Sequence, residues 1–362
     1  MENKVKKPRL EWLDALRGFT MILVVANHVA GMGFGETWRG SSCMPFLILF
    51  RMPLFFFVSG FLAYKASQVW TLPNLGSLML KKFKVQVIPT VVFFFFAMSI
   101  LKKPFWPEVE KALELPTKGG YWFTIVLFYM FIAYYLFSYL ESKLKWKTCI
   151  PILLLFVASL CVYETCYLPN YFDWAFGHRG TKSDFYYFLR ESSLIQMMQY
   201  FPFFLYGNIV HRYWERSQRA MDSKWFFPIV VVIVVLATLD ALKWHTLRMA
   251  WANLPSTLAK FGLLTIVFMY FRYYHQYFTK TTSIGASLQY IGRRTLDIYL
   301  IHFIFMPDVP HIGKFFSEHS SNFVIDLCLS VIMALVIIGF CIITSNILRI
   351  SPFFKKWLFG RS

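Results

Sequence analysis

The chain has 362 residues, of which 57% are hydrophobic, 20% aromatic and 15% charged, so it is too apolar for an ordinary soluble domain. Its formal net charge is +18, yet the Lys and Arg residues lie between long apolar runs and not on one water-facing surface, which argues against a nucleic-acid groove. The texture is that of a polytopic membrane protein.

A membrane span needs about 20 predominantly apolar residues. In chain order the runs predict about ten: Leu13–Gly33, Pro45–Tyr64, Val85–Leu101, Tyr121–Leu140, Ile150–Leu168, Met197–Val210, Trp225–Leu242, Thr257–Tyr274, Leu288–Met306 and Phe323–Leu348. The sixth and ninth carry Gln196, Gln199, Pro202 and Asn208, or the pair Arg293–Arg294, and are expected to be short or broken helices lining a cavity. The expectation is an all-α helical bundle, one integral domain over residues 1–362, with both termini on one face. By loop, 23 of the 37 basic residues fall on the N-terminal side, which makes that side cytoplasmic. The segment Lys102–Lys118 departs from the pattern, its basic residues being offset by Glu108, Glu110 and Glu114.

The first run is too long for a cleaved signal peptide and is interrupted by Asp14, Arg17, Asn27 and His28. The chain has no N-x-S/T sequon, which favours a bacterial cytoplasmic membrane over a eukaryotic secretory route. Its six cysteines (Cys43, Cys149, Cys161, Cys166, Cys328 and Cys341) form no CxxC pair, so their spacing indicates neither a zinc site nor a disulfide framework. No metal or bound cofactor is expected.

Ionisable residues inside a span are costly and mark either function or a buried structural pair. Arg17 and His28 are eleven residues apart, within about 20° of three full turns, so they share one helix face about 16 Å apart along the axis. Asp14, three residues before Arg17, lies on the same stripe and can orient the guanidinium. His28 suits general-base work on a hydroxyl; a structural histidine satisfied by a neighbouring helix is the plainer alternative. In the second span Ser59 and Gly60 permit close helix approach. Lys81, Lys82 and Lys84 enter the third span either as positive-inside anchors or as donors to a phosphate-bearing ligand. Tyr121 and Trp122 open the fourth span, and Thr295, Tyr299 and His302 form one polar stripe on the ninth. The loop Pro169–Gln196 mixes aromatics with His178, Arg179, Asp184, Arg190 and Glu191, as a sugar-contacting or a plain exposed loop would.

Together these segments resemble the acyltransferase-3 family of polytopic membrane acyltransferases. The resemblance rests on Leu13-Asp-Ala-Leu-Arg-Gly18, on the Arg-x10-His spacing of Arg17 and His28, on the run from Pro53 to Leu62, on Tyr121-Trp-Phe123, and on the segment Ile291 to His302. It covers essentially the whole chain. The resemblance implies transfer of an acyl group, most often acetyl from cytosolic acetyl-CoA, to a hydroxyl of a cell-envelope polysaccharide or lipid-linked sugar. By position, Arg17 would belong to the donor site and His28, with Asp14 and Arg17, to the reaction centre. The Arg-x-x-Arg signature of many members is absent here, and Lys81, Lys82 and Lys84 stand in its place. The acceptor side would draw on Ser59, Tyr121, Trp122, Thr295, Tyr299 and His302. Expected partners are acyl-CoA, the glycan or glycolipid acceptor and membrane lipids, with no fused extracytoplasmic domain. A transporter or flippase of lipid-linked sugars is the main alternative, although no inverted repeat is visible, and a non-enzymatic membrane scaffold ranks below both.

Overall fold

The computed structural model describes residues 10–37, 41, 43–102, 104–146, 148–165, 177–178, 181–182, 184–240, 253–318 and 323–359. The basic residues Lys4, Lys6, Lys7, Arg9, Lys147 and Arg361, together with Cys166, Arg179 and the ends of the predicted fifth and seventh spans, lie outside the described residues. In order, the helices are α1 (Glu11–His28), α2 (Met44–Ala63), α3 (Leu72–Lys82), α4 (Ile88–Leu101), α5 (Phe105–Glu114), α6 (Trp122–Lys143), α7 (Ile150–Thr165), α8 (Asp184–Glu191) and α9 (Leu194–Arg212). There follow α10 (Trp214–Met221), α11 (Phe226–Leu239), α12 (Leu254–Tyr273), α13 (Ser283–Gly292), α14 (Thr295–Ile301), α15 (Pro310–Glu318), α16 (Phe323–Leu348) and α17 (Pro352–Trp357). Among the described residues the only extended pairing is a minimal antiparallel ladder, Gly177–His178 against Thr181–Lys182.

Six helical segments are long and apolar enough to cross a membrane: Glu11–Gly33, Met44–Ala63, Leu72–Leu101, Trp122–Lys143, Leu254–Tyr273 and Phe323–Leu348. A seventh results if α10 and α11, bent by 79° at their junction, form one span. The chain is therefore an all-α, multi-pass membrane protein, with six to seven spans by length among the described residues where the apolar runs predict ten. The difference has local causes. Helix α7 has 16 residues, α9 carries Gln196, Gln199, Asn208 and His211, and the ninth run breaks at Arg293–Arg294 into α13 and α14.

Burial separates the inner helices from the outer. Of the apolar window in each span, 72% is buried in α1 and 28% in α16, so α1 is the axis of the bundle and α16 its edge. Helix α11 buries Ala237 while exposing Phe227, Ile229, Val232, Val235 and Leu236. An all-round apolar helix of this kind suits a lipid-facing position.

Two glycine pairs bring backbones together. A Cβ on Gly18 would overlap the carbonyl of Leu288, and one on Gly292 would overlap that of Asp14, so α1 and α13 touch without intervening side chains. The pair Gly60 and Gly207 does the same for α2 and α9. Close approach of this type substitutes backbone packing for the hydrophobic drive that lipid does not supply.

The polar ends fix the directions of the inner helices. Arg17 near the start of α1 donates to Thr295 at the start of α14, while Asp297 of α14 accepts from Ser345 at 2.7 Å and Arg349 at 2.5 Å beyond the end of α16. The beginnings of α1 and α14 and the end of α16 therefore meet at one end of the bundle, so residues Leu10 and Arg349 belong to the same face.

The close contact gives a direct expectation. Gly18→Val destabilises the purified protein by about 1–3 kcal/mol or more through overpacking, whereas Gly339→Ala, where a Cβ meets nothing within 4 Å, is neutral or stabilising by about 0.5–1 kcal/mol. Thermal unfolding in detergent with equal midpoints for the two variants would contradict the packing described.

Candidate active site

The starts of α1 and α14 frame a cavity of about 300 Å³ lined by Arg17, Phe55, Ser59, Lys82, Gln86, Phe123, Thr124, Phe131 and Thr295 among others. Arg17 is held from two sides. One guanidinium nitrogen donates to the Thr295 hydroxyl at 3.0 Å, and another lies 3.8 Å from the Asp14 carboxylate. The two contacts fix the orientation of the guanidinium at the cavity wall.

The three candidate lysines separate. Lys82 lines the cavity beside Arg17 and stands 3.3 Å from the centre of the Phe131 ring. Lys81 lines an adjoining recess of about 210 Å³ that shares Leu62, Lys82, Val85 and Phe131 with the first and adds Lys65, Gln68, Trp70 and Tyr135. Lys84 is exposed and lines neither. A local change of winding accounts for the sorting. Residues Phe83–Val87 form a π-helical turn directly before Pro89, whose missing N–H breaks the regular ladder. Beyond Tyr64 and Lys65 a wider groove of about 710 Å³ is lined by His211, Arg212, Trp214, Glu215 and Arg216. Arg212 is itself engaged with Glu141, with contacts of 2.9 and 2.5 Å.

From Thr295, α14 runs inward to the second feature. Tyr299 packs against Phe123 with ring centres 5.2 Å apart. Its hydroxyl donates to the Gly120 carbonyl at 2.5 Å and accepts from the Phe123 amide at 3.1 Å. Tyr121 donates to the Leu300 carbonyl at 3.0 Å. Both phenols are thus spent on backbone and act as positioning residues for α14 and the start of α6. One turn beyond Tyr299, His302 is fully buried, and its ring centre lies 5.2 Å from that of His28. His302 Nδ1 faces the carbonyls of Ile298 and Tyr299 at 3.1 and 2.8 Å, so it must carry the proton, and Nε2 is left as an unpartnered acceptor. His28 is half-buried and does not line the 300 Å³ cavity; Phe123 of the cavity wall packs on Tyr299, whose ring centre lies 6.0 Å from that of His302.

Near His28 lies Arg51, which no expectation from the sequence placed in the site, and beside Arg51 lies Tyr200. Arg51 lies close enough for its charge to act on His28 and on the Tyr200 hydroxyl, and its Nε is buried without a partner. Trp122 and Phe56 stack on Tyr200 with ring centres 5.6 and 5.0 Å apart. Gln196 Oε1 is likewise buried and unpartnered. Of the residues grouped on the acceptor side, Trp122 stacks on Tyr200, whereas Ser59 lines the cavity of Arg17 and Lys82. Arg51 was visible as a charge within an apolar run, but no spacing rule links it to α1. Tyr200 and Gln196 carry no comparable signal.

The site is thus a cationic cavity and a histidine pair, set along the shared length of α1 and α14 and divided by aromatic side chains inside a multi-pass helical membrane bundle. Such an arrangement suits an enzyme that receives an anionic ligand at one end and reacts at the other. A family model described as an acyltransferase domain matches residues 10–346, nearly the whole chain, and the protein belongs to the acyltransferase-3 family. Neither the curated proteins nor the solved structures give a match. The chain is accordingly a membrane acyltransferase.

The Asp297–Arg349 pair, with side chains 5% and 14% exposed, anchors the start of α14. Asp297→Ala leaves a buried guanidinium uncompensated, a loss of about 3–5 kcal/mol, whereas the double replacement Asp297→Leu with Arg349→Met recovers most of it. Thermal unfolding of the two variants in detergent checks both halves.

Proposed function

We propose that the protein moves an acyl group, most often acetyl, from cytosolic acyl-CoA to a hydroxyl of a cell-envelope polysaccharide or lipid-linked sugar. The observation that carries this reading is the paired arrangement of Arg17 and Lys82 in one cavity and His28 with His302 about 16 Å further along α1. A coenzyme A thioester is an extended donor with phosphates at one end and the reactive carbonyl at the other. In this reading Arg17, oriented by Asp14 and Thr295, and Lys82 hold phosphate oxygens, with Lys81 in the adjoining recess, and the pantetheine arm passes Phe123 and Tyr299. The cytoplasmic face is then the end at which Arg17 lies, as the basic loops predict, and the membrane is the bacterial cytoplasmic one.

At the other end His28 takes the proton of the acceptor hydroxyl as the oxygen attacks the thioester carbonyl. The carbon–sulfur bond breaks, and the imidazolium returns its proton to the departing thiolate, so no net charge or proton is left on the enzyme. His302 presents a fixed tautomer beside the base, and Arg51 is near enough to stabilise the oxyanion. Trp122 and Tyr200 offer the flat apolar faces on which a sugar ring packs. Membrane lipid surrounds the bundle, and a lipid-linked acceptor would approach through it.

With purified protein and labelled acetyl-CoA, His28→Ala should lower transfer by about 10²–10⁴-fold, the range of a general base. Arg17→Ala or Lys82→Ala should raise the KM for the donor by roughly 10–100-fold, the scale of a lost charge-assisted hydrogen bond, while Lys84→Ala leaves it unchanged. Wild-type transfer by the His28 variant would remove the histidine from the mechanism. Mass spectrometry of envelope glycan with and without the protein identifies the acceptor, and unchanged O-acyl content would refute the acceptor class.

A further inference from the structure

At the end of the bundle away from Arg17, three ligating side chains from distant segments meet. Glu36, Cys43 and Asp326 each offer an oxygen or sulfur atom, and these atoms lie within 4.8 Å of one another. Glu36 follows α1, Cys43 precedes α2, and Asp326 lies in the first turn of α16. All three are buried: Glu36 is 6% exposed, Cys43 and Asp326 0%. Asp326 grips Cys43 twice, accepting from its amide at 3.0 Å and from its thiol at 3.2 Å. Ser330 donates to the same carboxylate at 3.5 Å, and Ser41 Oγ lies 3.9 Å from the sulfur while accepting from the Met44 amide at 3.1 Å.

Glu36 is the unusual member. Neither of its carboxylate oxygens meets a hydrogen-bond donor in good geometry, although the Ser41 hydroxyl is near enough to favour the charged form. A buried carboxylate facing a second carboxylate and a thiol, with both oxygens unsatisfied, carries a large desolvation cost unless a positive charge joins it. No Lys or Arg among the described residues makes a salt bridge to it. We propose that Glu36, Cys43 and Asp326 form a binding site for one divalent metal ion of the zinc type.

The ligand set and its dimensions suit that ion. Thiolate with carboxylate disfavours calcium and magnesium, which take oxygen alone, and favours zinc. With Zn–S near 2.3 Å and Zn–O near 2.0 Å, the sulfur-to-oxygen edge of a tetrahedron is about 3.5 Å, close to the 3.2 Å between Cys43 Sγ and Asp326 Oδ1. Without the ion, burial and the neighbouring carboxylate push Glu36 up to about 7 and Cys43 up to about 12. A dication reverses both pressures. Binding to the protonated forms releases two protons, one from the Cys43 thiol and one from Glu36, as the metal–sulfur and metal–oxygen bonds form.

The ion would clamp the segment after His28 to the segment after His302. Gly33 and Phe34 already accept backbone hydrogen bonds from Val309 and Gly313 at 2.8 and 3.1 Å, and the metal would add α16 to that junction. The site is independent of the acyl-transfer reading.

The test uses the full chain purified in detergent without chelators. Elemental analysis should find about one zinc per chain. Cobalt(II) added after chelation should give a thiolate-to-cobalt charge-transfer band in the wild type that is absent in Cys43→Ser, and zinc should raise the wild-type thermal midpoint but not that of Glu36→Gln. Because the band is read on the wild-type protein, it does not depend on either variant folding. Sub-stoichiometric metal with no cobalt band would overturn the proposal, as would an unchanged band in Cys43→Ser. A midpoint that falls between pH 4.5 and 7 and ignores zinc would overturn it too, leaving Glu36 and Asp326 as a proton-sharing pair.

Discussion

The backbones of α1 and α13 meet at Gly18 and Gly292, where no side chain larger than hydrogen fits. In water, helices are driven together by their apolar faces, but in a bilayer the lipid tails compete equally for those faces. The two glycines let main chain pack on main chain, and they do so within one turn of Arg17 and Thr295. The chain breaks immediately afterwards at Arg293–Arg294, so the direction of α14 is set relative to that contact. Tyr299 and His302 are then carried inward along α1 until His302 reaches His28. Both ends of the proposed reaction path depend on this one approach.

Much of the fold could be read from the chain because bilayer thickness acts as a ruler on apolar runs. Six spans follow from it directly; of the two runs expected to be short or broken, the ninth breaks at Arg293–Arg294, whereas the sixth forms one continuous helix, Leu194–Arg212. The site was legible where a single helix carries it: the Arg17–His28 stripe and the Thr295–Tyr299–His302 stripe need only the period of a helix. What needed two or more helices was not legible. Arg51 and Tyr200 come together because Gly60 and Gly207 join α2 to α9, and the sorting of Lys81, Lys82 and Lys84 depends on a π-helical turn that simple periodicity does not foresee. Cys43 and Asp326 are 283 residues apart, so no cysteine spacing could reveal their contact.

The two ends of α1 present opposite electrostatic problems. Near its start the chain concentrates positive charge, with Arg17, Lys82 and Lys65 close together, and the carboxylate of Asp14 offsets only part of it. Near its end it gathers acidic groups instead, two carboxyls and a thiol buried together. In the two proposals above, each end receives a ligand of opposite sign. The histidine pair lies between these two ends, with Arg51 close enough for its charge to act on His28.

The π-helical turn at Phe83–Val87 has a further implication for how this family can diverge. One additional residue per turn rotates everything on its N-terminal side by about 100° relative to the span that follows. The face that α3 turns toward the cavity is therefore uncoupled from the face that α4 turns toward the core. Insertion or loss of a single residue here would exchange which basic side chain points inward while leaving the span undisturbed. A signature written as fixed positions would then fail to align, even though a cation of the same charge occupied the same space.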